Sequence, residues 1–190
     1  MSTPNQVEVL LSGIGGQGIQ LAAKTLALAA TREGMEVMLS ASYGAEIRGG
    51  HSDATVCMAP TSLRALPIAP SASHALVMHD MSWSSVSDRL RQGGIAVVNS
   101  SLAPHAHFDR GTVVPVAADD LAASLDPPGN PSFFLLGAFA GFTGLVGHDA
   151  LHEAMVSLVP RHRRTLLPAN TVSLRAGYEA GRSLDVRSGS

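Results

Sequence analysis

Two glycine-rich stretches carry the residues best suited to chemistry. The first is Gly13-Ile14-Gly15-Gly16-Gln17-Gly18. Glycines at this spacing allow positive φ, close backbone approach and tight helix–strand contact. Amides at a following helix N-terminus would favour an anion above the loop. The second is Ser42-Tyr43-Gly44-Ala45-Glu46-Ile47-Arg48-Gly49-Gly50. Tyr43 offers a phenol, Glu46 a carboxylate, and Arg48 a forked guanidinium that can grip phosphate or carboxylate. Gly44, Gly49 and Gly50 let a partner come close. A Glu46–Arg48 surface pair in a loose loop would be the bland alternative, worth little energetically. The density of polar groups between glycines favours a contact site.

Gly13, Gly15 and Gly18 satisfy the dinucleotide pattern G-x-G-x-x-G after an apolar run. The full pattern needs an acid about 20 residues on, at the end of the second strand, to hold ribose hydroxyls. Met38, Leu39 and Ser40 stand there instead, and Glu33 and Glu36 come too early. Three readings stay open: a tight turn alone, a nucleotide cofactor, or a different phosphate-bearing ligand or partner subunit. The last is favoured. The eight histidines do not form a metal set. His105 and His107 share a face of an extended segment, and His148 and His152 are spaced i, i+4, but no third ligand accompanies either pair. His51, directly after the second stretch, is the histidine to watch. Arg161-His162-Arg163-Arg164 reads as a solvated helix end. No residue is assigned as a catalytic acid, base or nucleophile.

These loops need strands and helices to hold them. Val7–Ser12 is expected as a strand, Gly16–Glu33 as a helix stopped by Gly34, and Val37–Ser42 as the second strand. In an open parallel sheet the loops after both strands leave one edge, so the two stretches are expected to share a crevice. Further strands are expected at Ser52–Met58, His74–Met78, Ile95–Asn99 and Val113–Val116. Pro115 places the last at a sheet edge. A helix is expected from Ser82 to Arg91, ahead of a turn at Gly93-Gly94. A short helix begins at Asp119-Asp120. Leu63–Pro70 is expected to be irregular.

The C-terminal third is helical in character. Ser132–Val146 is nearly all apolar and short for a bilayer span, so it is expected to be buried on every side. Its Gly137, Gly141 and Gly144 fall on one face, fit for close helix packing. Gly147 would end it. Asp149 would cap a helix over Ala150–Val159, and Asn170 one reaching about Ala180. The fold class is α/β: a mostly parallel layered sheet with flanking helices, a Rossmann-like glycine loop and a helical C-terminal part.

The 190 residues fit one domain, with a tail over 183–190. Hydrophobic residues make up 45% but aromatics only 4%, so alanine, valine and leucine must fill the core. A net charge of −2 gives no general attraction to nucleic acid or anionic membrane. Lys24 is the single lysine beside twelve arginines, a pattern read as compositional bias. With Cys57 alone, the chain can form no internal disulfide and cannot ligate a [4Fe–4S] cluster, which takes about four thiolates. The polar N-terminus lacks signal-peptide character, and a cytoplasmic location is expected.

Gly15-Gly16-Gln17-Gly18, Ala22-Ala23-Lys24, Ser42-Tyr43-Gly44-Ala45-Glu46 and Arg48-Gly49-Gly50 together resemble the γ subunit of 2-oxoacid:ferredoxin oxidoreductases. Asn130 with Leu136-Gly137-Ala138 is similar to that family's central helix. Asn170 with Ala176-Gly177-Tyr178-Glu179 is similar to its C-terminal one. Pro131-Ser132-Phe133-Phe134 is bulkier than the family pattern. The resemblance implies a pyruvate/ketoisovalerate oxidoreductase γ-type catalytic domain over residues 7–181. It implies a chain active only as a subunit, with α and β partners and a δ or ferredoxin-like one. Thiamine diphosphate, Mg²⁺ and [4Fe–4S] clusters would sit on the partners, and ferredoxin would accept the electrons. The overall reaction implied is oxidative decarboxylation of a 2-oxoacid to acyl-coenzyme A and carbon dioxide.

For this chain the resemblance implies a structural and coenzyme A-side role. Gly15, Gly16, Gln17 and Gly18 would face partner subunits or coenzyme A. Tyr43, Glu46, Arg48, Gly49 and Gly50 would line the same crevice. Two rivals remain from the residues themselves: a free-standing dinucleotide oxidoreductase, and a non-catalytic interaction module of the same fold.

Overall fold

The computed structural model describes residues 6–43, 50–61 and 71–184. The expected irregular stretch Leu63–Pro70 and residues 185–190 of the tail expected over 183–190 lie outside the described residues, whereas Ser183 still belongs to the last helix.

Six strands form one sheet: β1 (Val7–Ile14), β2 (Glu36–Tyr43), β3 (His51–Ala59), β4 (Ala72–Val77), β5 (Leu90–Asn99) and β6 (Thr112–Val116). Their order is β2-β3-β1-β4-β5-β6. β1, β4, β5 and β6 pair in parallel, whereas β3 runs antiparallel to both β1 and β2. All strands but β3 therefore point the same way, and the sheet is mostly parallel. The seven residues between Tyr43 and His51 are too few for a parallel crossover, which needs about a dozen or more. β6 is an edge strand, so Pro115 removes no ladder bond from a further neighbour. At Gly93, φ is 76°, and the register between β4 and β5 shifts between Ala72 and His74. The turn expected at Gly93-Gly94 is thus a distortion within β5 rather than a break before it.

Six helices flank the sheet: α1 (Ile19–Arg32), α2 (Trp83–Arg89), α3 (Ala118–Ala123), α4 (Pro131–Thr143), α5 (His148–Leu158) and α6 (Leu167–Ser183). Strand alternation sends Val9, Leu11, Ala54, Val56, Leu76 and Val97 to one face, where α1 and α4 cover them. Leu10, Ala75, Val77, Ala96 and Val98 turn to the other, under Val86 of α2 and Ala103 and Phe108 of the following loop. Burying these apolar surfaces on both faces is the main favourable term in folding.

α4 is buried all round, as its composition requires. Phe133 through Ala140 are at most 3% exposed where the side chain is apolar. It packs on α6 through glycines contributed by both helices. A β-carbon on Gly137 would lie 2.2 Å from the Leu174 carbonyl oxygen, and one on Gly141 2.2 Å from that of Tyr178. Reciprocally, a β-carbon on Gly181 would lie 2.1 Å from the Ala138 carbonyl oxygen. Backbones this close exchange dispersion and Cα–H···O contacts that any side chain would block.

Three helix boundaries differ from the sequence expectation. Gly144 is not part of the packing stripe; it ends α4 in the left-handed region at φ 65°, three residues before Gly147. Gly147 instead starts α5, and its N–H donates to Glu33 Oε1 at 2.8 Å. α6 begins at Leu167 with a proline in its first turn, so Asn170 is an interior residue rather than its cap. Asn130 does cap α4, its Oδ1 accepting from the Ser132 N–H at 3.0 Å.

Candidate functional site

A glycine loop closes between β1 and α1. The Gln17 N–H donates to the Ile14 carbonyl at 3.2 Å, and the Ile14 N–H donates to Gln17 Oε1 at 2.9 Å. Gln17 thus bolts its own turn from both backbone and side chain. Gly16 and Gly18 have φ of 93° and 75°, a region that costs an L-residue about 1 kcal/mol or more. Gly13 serves a different need: a β-carbon there would meet Gln17 Oε1 at 2.7 Å and Ile19 Cδ1 at 2.9 Å.

The loop lies at the carboxyl ends of β1 and β4, whose following helices α1 and α2 go to opposite faces of the sheet. In open α/β sheets a crevice opens at such a switch point. Here it is a cleft of about 630 Å³. Gly16, Gln17 and Gly18 form one side, and Asn130, Pro131 and Ser132 bring the N-terminus of α4 to it. Lys24 on α1 and Arg163, in the 3₁₀ turn before α6, supply positive charge to its walls. Asp119 adds a carboxylate, fixed by Asn99 Nδ2 at 2.5 Å.

Two further polar side chains stand in the lining. Asn170 is 4% exposed. Gln20 donates to Ser52 Oγ and to the Asp53 carbonyl, but its Oε1 is buried without a partner. Buried polar groups are normally paired, and Gln20 Oε1 is the exception in this lining. Two helix N-termini, Lys24 and Arg163 make the cleft suited to an anion that carries further hydrogen-bonding groups.

The residues singled out from sequence do not all fall together. Gly16, Gln17 and Gly18 line the cleft. Gly15 and Gly50 are joined instead, the Gly15 N–H donating to the Gly50 carbonyl at 3.0 Å. That bond brings the ends of the two glycine stretches together, as the shared sheet edge requires. Tyr43 ends β2, opposite Ser52 of β3. Glu46, Arg48 and Gly49 lie outside the described residues. His51 is exposed at the start of β3, opposite Ile14.

Lys24, Asp119, Ser132, Arg163 and Asn170 were not among the expected site residues. Gln20 and Lys24 had a readable signal: they are polar at i, i+4 on a helix of alanine and leucine. Cys57 is fully buried, and burial together with the nearby Glu8 carboxylate pushes its thiol pKa up. That is the environment of an inert thiol. Among the described residues no three histidine, cysteine or acidic side chains gather to hold a metal ion. No helix among them is long and apolar enough to cross a membrane.

Residues 8–180 match the sequence profile of the pyruvate ferredoxin/flavodoxin oxidoreductase family. The chain belongs to that family. It is of the γ-subunit type. It is 28% identical over 179 residues to the 2-oxoglutarate synthase subunit KorC of Archaeoglobus fulgidus, covering 94% of this chain and 90% of the relative. The keto/oxoacid ferredoxin oxidoreductase γ subunit of Geobacter sulfurreducens superposes with a TM-score of 0.79 at 25% identity, covering 94% of this chain and 97% of that one. The same fold occurs in the 2-oxoglutarate:ferredoxin oxidoreductase of Magnetococcus marinus, solved with 2-oxoglutarate, coenzyme A and succinyl-CoA bound. There the TM-score is 0.83 at 18% identity, over 98% of this chain and 33% of that one. As a γ-type subunit, this oxidoreductase chain works with other subunits.

Proposed function

We propose that this γ subunit forms the coenzyme A side of a complex that oxidatively decarboxylates a 2-oxoacid. Coenzyme A receives the acyl group, carbon dioxide leaves, and two electrons pass to ferredoxin. Decarboxylation of this kind needs an electron sink, supplied by thiamine diphosphate with Mg²⁺, and clusters to carry electrons away. In this reading those cofactors are held by the α and β partners, with a δ or ferredoxin-like subunit, since a [4Fe–4S] cluster takes about four thiolates and this chain has one cysteine. The chain's own share is binding and orientation, at a cytoplasmic enzyme.

One observation carries the reading: the glycine loop opens onto a cleft whose walls bear Lys24 and Arg163. Coenzyme A combines phosphates with amide, hydroxyl and amino groups, which answers both the positive walls and the polar side chains of Asn130, Ser132 and Asn170 in the lining. Gly15, Gly16, Gln17 and Gly18 face the ligand or the partner subunits in this reading. The reading also counts Tyr43, Glu46, Arg48, Gly49 and Gly50 as contacts, with Arg48 as a charged contact to coenzyme A or a partner carboxylate.

The test is kinetic, in the complex isolated anaerobically with this chain tagged. Arg48→Ala is expected to raise the KM for coenzyme A or to loosen assembly. Kinetics and assembly both unchanged would remove Arg48 from the site. An eluate without larger subunits, iron or thiamine would overturn the complex itself and favour a stand-alone binding protein.

A further inference from the structure

We propose that Ser173 and Ser132 are positioning residues that tie the glycine loop to the C-terminal helix α6. The link is a continuous run of hydrogen bonds. Ser173 Oγ donates to the Ala169 carbonyl at 2.8 Å and accepts the Asn130 N–H at 2.6 Å. Asn130 Oδ1 accepts the Ser132 N–H at 3.0 Å. Ser132 Oγ donates to the Gln17 carbonyl, and Gln17 Oε1 accepts the Ile14 N–H at 2.9 Å. Four separate segments, α6, the entry to α4, the loop and the end of β1, are thereby held in sequence.

Its two serines are shielded from water. Ser173 is fully buried and Ser132 is 6% exposed. Ser173 Oγ both accepts and donates, and at this fully buried hydroxyl the low local dielectric strengthens both bonds. Packing enforces the first link, because a β-carbon on Gly129 would lie 2.1 Å from Ser173 Oγ. The glycine contacts between α4 and α6 keep those helices in fixed register below it. α6 is therefore a rigid anchor rather than a passive neighbour.

The last link decides the loop's chemistry. In a trans peptide the C=O and N–H point in opposite directions. Ser132 holds the Gln17 carbonyl towards α4, so the Gly18 N–H is turned the other way, at the N-terminus of α1. Without the hydroxyl, the 17–18 peptide is free to flip between two glycine-permitted conformations. A flip would replace a donor by an acceptor where the loop meets the cleft. The functional meaning rests on the coenzyme A reading above, but the relay itself does not.

Ser173→Ala is the informative variant, since Ser173 is not itself in the cleft lining and makes no bond to the glycine loop. Amide hydrogen exchange of the full-length chain should show faster exchange at Asn130 and, beyond it, at Ile14 and Gln17. About tenfold at these distant amides is the scale of one lost hydrogen bond. Val86→Ala, a cavity under the opposite sheet face, supplies a control of comparable instability and should leave the loop amides no faster than global opening requires. Ser132→Ala reads the same link from the loop side if Ser173→Ala does not fold. Faster exchange confined to Asn130 in Ser173→Ala, or loop amides unchanged in Ser132→Ala, would overturn the relay.

In the assembled enzyme, Ser173→Ala should raise the KM for coenzyme A several-fold while the KM for the 2-oxoacid and kcat change little. Loop exchange accelerated without any change in that KM would keep the relay and sink the coenzyme A reading. Loop exchange unchanged would sink the relay whatever the kinetics show.

Discussion

Gly177 of α6 lies so close to Phe134 of α4 that a β-carbon on it would stand 2.0 Å from the Phe134 carbonyl oxygen. The contact is backbone against backbone, so no side-chain rotamer can relieve it. Gly177→Ala must push the two helices apart along their whole interface. Overpacking typically costs about 1–3 kcal/mol, and this site should reach or exceed the upper end. Urea unfolding of the full chain measures it. Gly34→Ala is the comparison, because nothing lies within 4 Å of its β-carbon and only its φ of 84° opposes substitution. If the two variants lose equal stability, the helix contact is not what requires glycine at 177.

His74 makes stability depend on pH. Its ring stands edge-on to Phe139 at 6.1 Å, and its Nδ1 is 2.9 Å from Ser73 Oγ. Burial, with a smaller contribution from the Arg91 guanidinium, pushes its pKa down to about 4. The folded chain thus refuses a proton that the unfolded chain accepts below its ordinary value near 6.5. The contribution is fully present above that value and is lost as pH falls through the folded one. Between pH 7 and 5 it amounts to about 2 kcal/mol. His74→Gln should show a correspondingly flatter stability profile over that range by denaturant titration. Parallel profiles for the two proteins would remove His74 as the cause.

Lys24 and Arg163 act on the ligand rather than on the fold. Each sits on the cleft wall, and neither forms an ion pair with a described carboxylate. In the assembled enzyme, Lys24→Ala or Arg163→Ala should raise the KM for coenzyme A roughly tenfold, the scale of one charge-assisted hydrogen bond. The effect should shrink as salt is raised, because partly exposed charges are screened. An unaltered KM in both variants would move the ligand out of this cleft.

The loop glycines should rank by cause. Gly16→Ala meets no atom within 4 Å and pays only for its φ, about 1 kcal/mol. Gly18→Ala pays similarly and also crowds Ser132 Oγ at 3.3 Å. Gly13→Ala displaces the Gln17 amide, which strips the Ile14 N–H of its acceptor. Thermal unfolding should order the losses Gly16, Gly18, Gly13. A Gly13 variant as stable as the Gly16 variant would show that Gln17 can turn aside freely.

Much of this architecture was legible in the sequence because it follows from local pattern. The strand–loop–helix at Gly13–Gly18, the edge position of Pro115 and the all-round burial of α4 each rest on residue type and spacing. The direction of β3 was also encoded, in the shortness of its link to β2. The site was less legible because it is assembled from afar. Lys24 looked like compositional bias until α1 placed it on the cleft wall. Arg163 is exposed in the turn before α6, as a solvated helix end would be, yet it also lines the cleft. Asn170 looked like a cap because asparagine favours caps, yet Pro168 had already marked an earlier helix start. Nothing local could pair Gly137 and Gly141 with Gly177 and Gly181, since that match exists only between helices separated by α5.

The antiparallel β3 also dictates an order of assembly. β1 and β2 are joined by α1 and run parallel, but they do not touch; β3 lies between them. A nascent chain that has emerged only as far as Tyr43 therefore holds two strands with an empty slot between them. Each side of the slot presents unsatisfied backbone groups, which invite foreign strands. Arrival of His51–Ala59 closes both ladders in one insertion. That half of the sheet cannot be completed by β1 and β2 alone, because every backbone bond between them runs through β3.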